Sequence, residues 1–418
     1  MKAALLSALL AGAVIAAPAA AQSLDAVVEA SLAHSPALRA ARARADSAAA
    51  KVGEARAQRA PTLSVDGSIG TGRIDPRGFF GLVSDNVTPR SARATVELPL
   101  FTGGRVDAAV RQAKDGREAA RQEAREDALA LRVQVVRAYT DAIAANELIA
   151  RYRTLLAVLD ETVRQAGLKF RAGNGTSTDL AQAQARRAEA QAGLAGAQGQ
   201  LAIAEVQLQS LAGAHVTVSA ALPPPPMTPP TAEDAASRAL VDNPAVLAAD
   251  RLAAAARAGV DAAHAERLPA IGAFAEAATV RDQFFPGYKA DSDTIGVRAH
   301  WTLFSGGRTA AKERGAEADL TAAEADATAV RLQVHEQAIS GFNAVMTARA
   351  MLEAATARAV ATERALHDTR LEVQTGAKPQ LALLDAEREA IEGESARIAA
   401  EGDLLVAAYR LLAIAGMD

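Results

Sequence analysis

Two heptapeptides, PLFTGGR at 99–105 and TLFSGGR at 302–308, each set a Gly-Gly pair beside an arginine. Glycine amides next to a basic side chain are what a phosphate-cradling loop uses. Neither segment is followed by the Lys-Ser/Thr of a P-loop, so nucleotide chemistry has no support. The six histidines are scattered at 34, 215, 264, 300, 335 and 367. His335-Glu336 opens a string like HExxH, but Ile339 stands where the second zinc-binding histidine would be. There is no G-x-S-x-G elbow, and no cysteine to serve as nucleophile, disulfide partner, thiolate ligand or lipid-acylation site. Asn174-Gly175-Thr176 fits a glycosylation sequon but reads better as a turn. Glu and Arg elsewhere read as solvated helix faces and i,i+4 pairs. No catalytic, metal or cofactor-binding residue is expected, and an enzyme is the least supported reading.

The composition describes the elements that would carry these residues. Half of the 418 residues are hydrophobic, yet only 3% are aromatic, and much of the apolar content is alanine. Alanine is the best helix former, so alanine-rich runs with Arg, Glu and Gln predict extended helices. A formal net charge of −4 gives no basic footprint for nucleic acid. Lys2, the apolar run AALLSALLAGAVIAA and Ala19-Ala20-Ala21 have the three regions of a secretory signal peptide, expected at 1–21. No later stretch approaches the ~20 unbroken apolar residues of a membrane helix.

The chain repeats itself. Ser35-Pro36 matches Asn243-Pro244, and Pro61 matches Pro269, at an offset of 208. From Phe101 and Phe304 onward the offset is 203, and it holds at Gly173 and Gly376. The expected organisation is a first repeat at 22–213, a proline-rich linker at 214–231 and a second repeat at 232–418. Each repeat reads as helix, strand, loop, strand, long helix, tight turn, helix. TLSVDGSIG after Pro61 and RATVELPLF at 93–101 alternate strictly, as does DTIGVRAHWTLF at 293–304; AIGAFAEAATV at 270–280 alternates less cleanly. Runs of about 9–11 residues have the length of a membrane-spanning strand, although a half-buried soluble strand alternates in the same way. Four strands cannot close a barrel in lipid, where about eight are the minimum, so spanning strands would require several copies.

Arg105 to about Lys169 and Arg308 to about Gln374 contain no proline. Some 65 helical residues make a rod of roughly 100 Å. Leu129, Val133, Val136 and Ile143 on one helix, and Leu194, Leu201 and Leu208 on another, keep coiled-coil spacing. The rods turn at RAGNGTSTD and QTGAKPQ, where Gly173 and Gly376 suit a left-handed C′ position. Ser177 or Thr178 is expected to cap the following helix, and Pro379 to start the other. Gly103-Gly104 and Gly306-Gly307 are expected to bend strand into helix.

Signal peptide, tandem halves, paired strands passing through LF-x-GGR into long helices, and glycine-turned tips together resemble the TolC-like outer membrane efflux protein family. The resemblance covers essentially the whole mature chain. It implies a mainly α protomer with a membrane β part. Three protomers would give four strands each to a twelve-stranded β-barrel, continued by a long-helix α-barrel. It further implies an export duct without catalysis or cofactor, working with a periplasmic adaptor and an inner-membrane transporter of RND or ABC type, and bounded by outer-membrane lipid.

The family's first turn motif, G-x-x-x-x-T-D, is met by Gly173, Thr178 and Asp179; the second places Gly376, Lys378 and Asp385 in register. The resemblance makes these the periplasmic gate, with Lys378 latching to Asp179 or Thr178 and Asp385 forming an acidic ring. The family's tyrosine and first constriction aspartate are replaced by Val373 and Ala382. Lys378 and Asp385 also read simply as exposed hairpin residues. The alternative function is a periplasmic or secreted coiled-coil scaffold without a pore. The cargo, whether drug, metal or protein, has no signature.

Overall fold

A computed structural model describes residues 22–74, 85–219 and 221–417. The expected signal peptide at 1–21 lies outside the described residues, as do 79–84 of the loop before the second strand. The helices are α1 (Leu24–His34), α2 (Pro36–Ala57), α3 (Arg105–Arg171), α4 (Ser177–Ala212), α5 (Ala232–Asp242), α6 (Pro244–Ala265), α7 (Arg308–Gln374) and α8 (Gln380–Ile414). The strands are β1 (Thr62–Ile69), β2 (Gly72–Ile74), β3 (Asp85–Val87), β4 (Arg90–Phe101), β5 (Ala270–Arg281) and β6 (Lys289–His300). Two helices, not one, precede each strand pair, because a cap and a proline interrupt the chain. The Ser35 hydroxyl accepts the Leu38 amide, and Asn243 accepts the amides of Ala245 and Val246 ahead of Pro244 at the helix start.

The chain forms two compact units, and each draws on both halves of the sequence. The first comprises Met1–Leu38, Asp127–Ala239 and Glu336–Asp418. Its core gathers Val27, Val135, Val136, Ile143, Leu208 and Leu405 around the fully buried Tyr139. The Tyr139 hydroxyl donates to the Gln22 carbonyl at 2.8 Å and accepts the Ser219 amide at 3.2 Å, so one phenol ties the start of the described chain to the inter-repeat linker. On α4 the seam is made by Ala183, Ala190, Ala197 and Ala204, with Leu208 the only buried leucine of the expected heptad. Leu194 and Leu201 stand half-buried beside it. Methyl side chains at heptad spacing let helix axes approach more closely than leucines allow. The ring of Tyr152 fills the space where Gly193 has no side chain.

The second unit comprises Arg39–Glu126 and Leu240–His335. Its four-stranded antiparallel sheet has the order β1-β4-β5-β6, and a separate two-stranded sheet pairs β2 with β3. The weakly alternating segment 270–280 is a full strand in the middle of this sheet, bonded to β4 and β6. Its pattern is faint because alanine and glycine occupy both faces. β6 starts at Lys289 and ends at His300, so Trp301 and Leu303 fall past the strand, not within it. A bulge on β4 lies between Pro99 and Phe101, where proline offers no amide to the ladder.

One face of the sheet is apolar and open. Leu63 and Val65 of β1, Val96 of β4, and Ile295 and Val297 of β6 are all exposed on it. The other face is polar: Arg93 pairs with Glu276, and Arg298 pairs with Glu97 at 3.1 Å while lying 4.6 Å over the Phe274 ring. No described helix is long and apolar enough to cross a membrane.

Candidate gate at the hairpin turns

The α3–α4 turn is set by backbone geometry. Gly173 has φ +76°, its amide reaches the Phe170 carbonyl at 3.1 Å, and the Asn174 amide reaches the Lys169 carbonyl at 2.9 Å. The α7–α8 turn repeats this at Gly376, φ +78°, with bonds from Gly376 to Val373 and from Ala377 to Glu372. Both are Schellman endings, in which a left-handed residue satisfies the last helical carbonyls. The cap of α4 is Thr176, one residue before the expected Ser177 or Thr178. The Asp179 amide donates to the Thr176 hydroxyl, and the Thr176 amide donates to the Asp179 carboxylate, each at 3.1 Å. This reciprocal box needs an acidic residue three positions after the cap, which only Thr176 has. Pro379 is itself the N-cap of α8 and makes no side-chain cap bond.

Within one chain the four expected gate residues have separate surroundings. Thr178 is exposed at the tip. The hydroxyl and amide of Thr176 hold the Asp179 carboxyl below its ordinary range, so it stays ionised through neutral pH. Lys378 pairs with Glu372 in its own turn at 2.7 Å. Asp385 on α8 receives Arg186 of α4 at 2.8 Å, and Arg186 also reaches Glu189. Arg186 was not singled out by sequence, since nothing in QARRAEA sets it apart from Arg187, which bonds to Asp160.

A second residue was also missed. Glu387 of α8 is 3% exposed, and neither carboxylate oxygen has a hydrogen-bond partner. Its nearest charge is Arg370 of α7 at 4.0 Å. Burial pushes its carboxyl up to about 7, against the pull of Arg370. It borders a cleft of about 870 Å³ whose other walls include Arg151, Leu155, Leu366, Arg370 and Ile391. Two to three turns further along α8 the charges are matched: Arg397 pairs with Glu394 at 2.9 Å and Glu401 at 2.5 Å, and Arg151 of α3 meets Glu394 at 2.8 Å. Spacing could have found Glu387, because Leu384, Glu387, Ile391, Glu394 and Ile398 step by three and four.

At the strand-to-helix joints the dihedrals coincide. Gly103 and Gly306 have φ +62°, and Gly104 and Gly307 have φ +86°. The helix then starts in the same way in both, with Ala108 bonded to Gly104 and Ala311 to Gly307, each at 3.0 Å. Among the described residues, no three His, Asp or Glu side chains are grouped to hold a metal ion.

The sequence profile of the outer membrane efflux protein family matches residues 27–214 and 235–417. The chain belongs to the outer membrane efflux protein family. It is a protein of the outer membrane, and its family consists of transport channels. The outer membrane efflux protein BepC of Brucella suis biovar 1 (strain 1330) is 29% identical over 288 residues, 68% of this chain and 62% of BepC. The alkaline protease secretion protein AprF of Pseudomonas aeruginosa is 26% identical over 295 residues, 69% of this chain and 61% of AprF. The matches thus span less than two thirds of either relative. The outer membrane protein VceC of Vibrio cholerae has a TM-score of 0.78 at 22% identity, covering 94% of this chain and 96% of that chain. This efflux-family chain therefore has the mostly helical fold of outer-membrane channels.

Proposed function

We propose that this chain is the protomer of a homotrimeric channel-tunnel, exporting small molecules or proteins across the periplasm and outer membrane. The observation that carries it is the sheet with two open edges: β1 and β6 are each bonded on one side only. An open edge is not tolerated in hydrocarbon, and four strands cannot close on themselves. Joining β6 of one copy to β1 of the next removes every edge, and three copies give twelve strands. The apolar face then meets lipid, and the ion-paired face of Arg93, Glu97, Glu276 and Arg298 lines the lumen, as barrel alternation requires. The long helices would continue the wall as an α-barrel.

Apart from the β2–β3 pair, the two halves share one element order and the same joint, which supports a tandem duplication of 22–213 and 232–418 about the linker 214–231, after removal of a signal peptide at 1–21. A periplasmic adaptor and an RND or ABC transporter of the inner membrane would supply cargo and energy. Nothing favours a poreless scaffold, which has no use for amphipathic strands. The hairpin tips would form the gate, with Asp385 in an acidic ring and Lys378 reaching Asp179 or Thr178 of a neighbouring hairpin once it leaves Glu372.

The test is chemical crosslinking of the membrane-extracted protein, with gel migration before and after heating. A crosslinked ladder ending at three and heat-modifiable migration are expected. A water-soluble monomer needing no detergent would end this reading.

A further inference from the structure

The register of the sheet places three cations in one row. Arg90 of β4 stands opposite Arg281 of β5, and Arg281 stands opposite Lys289 of β6. Directly opposed residues share a face, and faces alternate with period two. The row is therefore on the apolar face, the one that carries Val96, Ala275 and Ile295 six residues away along each strand. It closes the end of the sheet remote from the helices; exposed Trp301, Phe101 and Phe304 mark the other end.

The spacing of these two ends is informative. Ten residues of β5 separate Ile271, opposite Ala299, from Arg281. At ~3.4 Å per residue and a tilt of ~40°, the rows lie about 26 Å apart along a barrel axis, against the ~25 Å height of an outer-membrane barrel's apolar band. The cations thus stand at the level of the outer headgroups, not within hydrocarbon. Arg281 is partly engaged, with Asp291 at 2.9 Å and the carbonyls of Val280 and Ala290. Arg90 and Lys289 have no ion pair or hydrogen bond among the described side chains. Asp291 and Asp293 are the other charges on this face, one and two steps closer to the middle of the sheet. The adjoining turn is held in place, because the Gly287 amide donates to Asp282 at 2.7 Å and the Asp282 amide donates to the Tyr288 carbonyl at 2.8 Å.

We propose that Arg90, Arg281 and Lys289 form a docking row for the phosphate groups of outer-leaflet glycolipid, which would wrap the barrel and fix its depth. The inference rests on the channel reading. Acyl chains would lie on the apolar rows while the headgroup phosphates meet the cations, a two-part match that a free anion lacks. Arginine and lysine near an anionic surface each add to lipid affinity, and two unpaired cations per copy make the effect measurable.

Native mass spectrometry of the full-length, detergent-purified protein tests this with bis-phosphorylated lipid A, its dephosphorylated form and inorganic phosphate as probes. The phosphorylated lipid should be retained about tenfold more strongly than the dephosphorylated one, and Arg90→Gln with Lys289→Gln should abolish that preference. Arg93→Gln with Arg298→Gln, which removes equal charge from the opposite face, should leave it intact. Equal retention of both lipids, or a preference that survives loss of Arg90 and Lys289, would overturn the proposal. Displacement by inorganic phosphate at equal concentration would assign the row to a free anion instead. Oligomer migration without heating is read for every sample. An intact oligomer lacking lipid preference refutes only the docking row, whereas no oligomer refutes the channel reading beneath it.

Discussion

Glu387 occupies a seam position that its neighbours fill with leucine, isoleucine and alanine. Leu384 packs with Leu159 and Ala190 on one side of it, and Leu383 and Ala390 pack with Leu366 on the other. The charged groups lining the clefts beside it are Arg151 on α3, Arg186 and Glu189 on α4, Glu363, Arg364 and Arg370 on α7, and Arg388, Glu392, Glu394 and Arg397 on α8. None of them hydrogen-bonds its carboxylate. A carboxyl raised to about 7 binds its proton more tightly in the folded chain than in the unfolded one, whose value is 4.5. The contribution to stability is complete below the unfolded value and is lost as pH climbs from 4.5 toward 7. Glu387→Gln should therefore stabilise the fold at pH 8 by on the order of 2 kcal/mol, read as a higher melting temperature, and change little at pH 5. Equal shifts at the two pH values would show that ionisation is not the cause. The residue was legible in the three-four spacing of α8, but a search for catalytic patterns passes over a lone seam glutamate. Arg186 was not legible, because pairing across helices depends on their rotation about one another, which spacing along one helix does not encode.

At the scale of elements, the joints separate backbone demand from packing demand. A side chain at Gly306 meets open space and is opposed only by the left-handed φ of +62°. At Gly103 the same φ is joined by the Leu268 side chain at 2.7 Å and the Ala265 carbonyl at 2.9 Å. Gly306→Ala should cost roughly 1–2 kcal/mol, and Gly103→Ala more, in thermal melts that follow helix content. Matching losses would mean that dihedral strain alone sets the cost. In α4, Ala190→Leu should destabilise by about 1–3 kcal/mol, since the seam has no room for the added atoms. Turn glycines and long helices were readable because period, proline and glycine are local signals. Three features were not. The alanine seam escaped attention because leucine dominates hydrophobic spacing. The Thr176 cap yielded to adjacent hydroxyls until its partner Asp179 was counted. Strand β5 hid behind small residues, and its two bonded neighbours identify it better than its own side chains do.

At the scale of the whole molecule, the proposed threefold assembly would multiply each tip charge. Asp385 is neutralised within its own chain by Arg186, so a ring of three would carry muted charge while that pair holds. Arg186→Gln should then increase cation selectivity and divalent-ion block in planar bilayers, and Asp385→Ala should reduce both. If Arg186→Gln leaves conductance, selectivity and block unchanged, Asp385 does not face the pore. The compact units also give a consequence for synthesis. Strand β4 is bonded along its length to β5, and Arg90 meets Arg281 across nearly half the chain. A nascent chain emerging from its N-terminus can fold the β1–β4 hairpin early, but that hairpin must wait for most of the remaining sequence to find its central neighbour. Meanwhile β4 offers an unpaired edge, and Leu63, Val65 and Val96 an uncovered apolar face, in an aqueous compartment. Contacts so distant in sequence form slowly. This chain should accordingly depend on a holding chaperone until its central strand arrives, and depleting such chaperones should leave it aggregated.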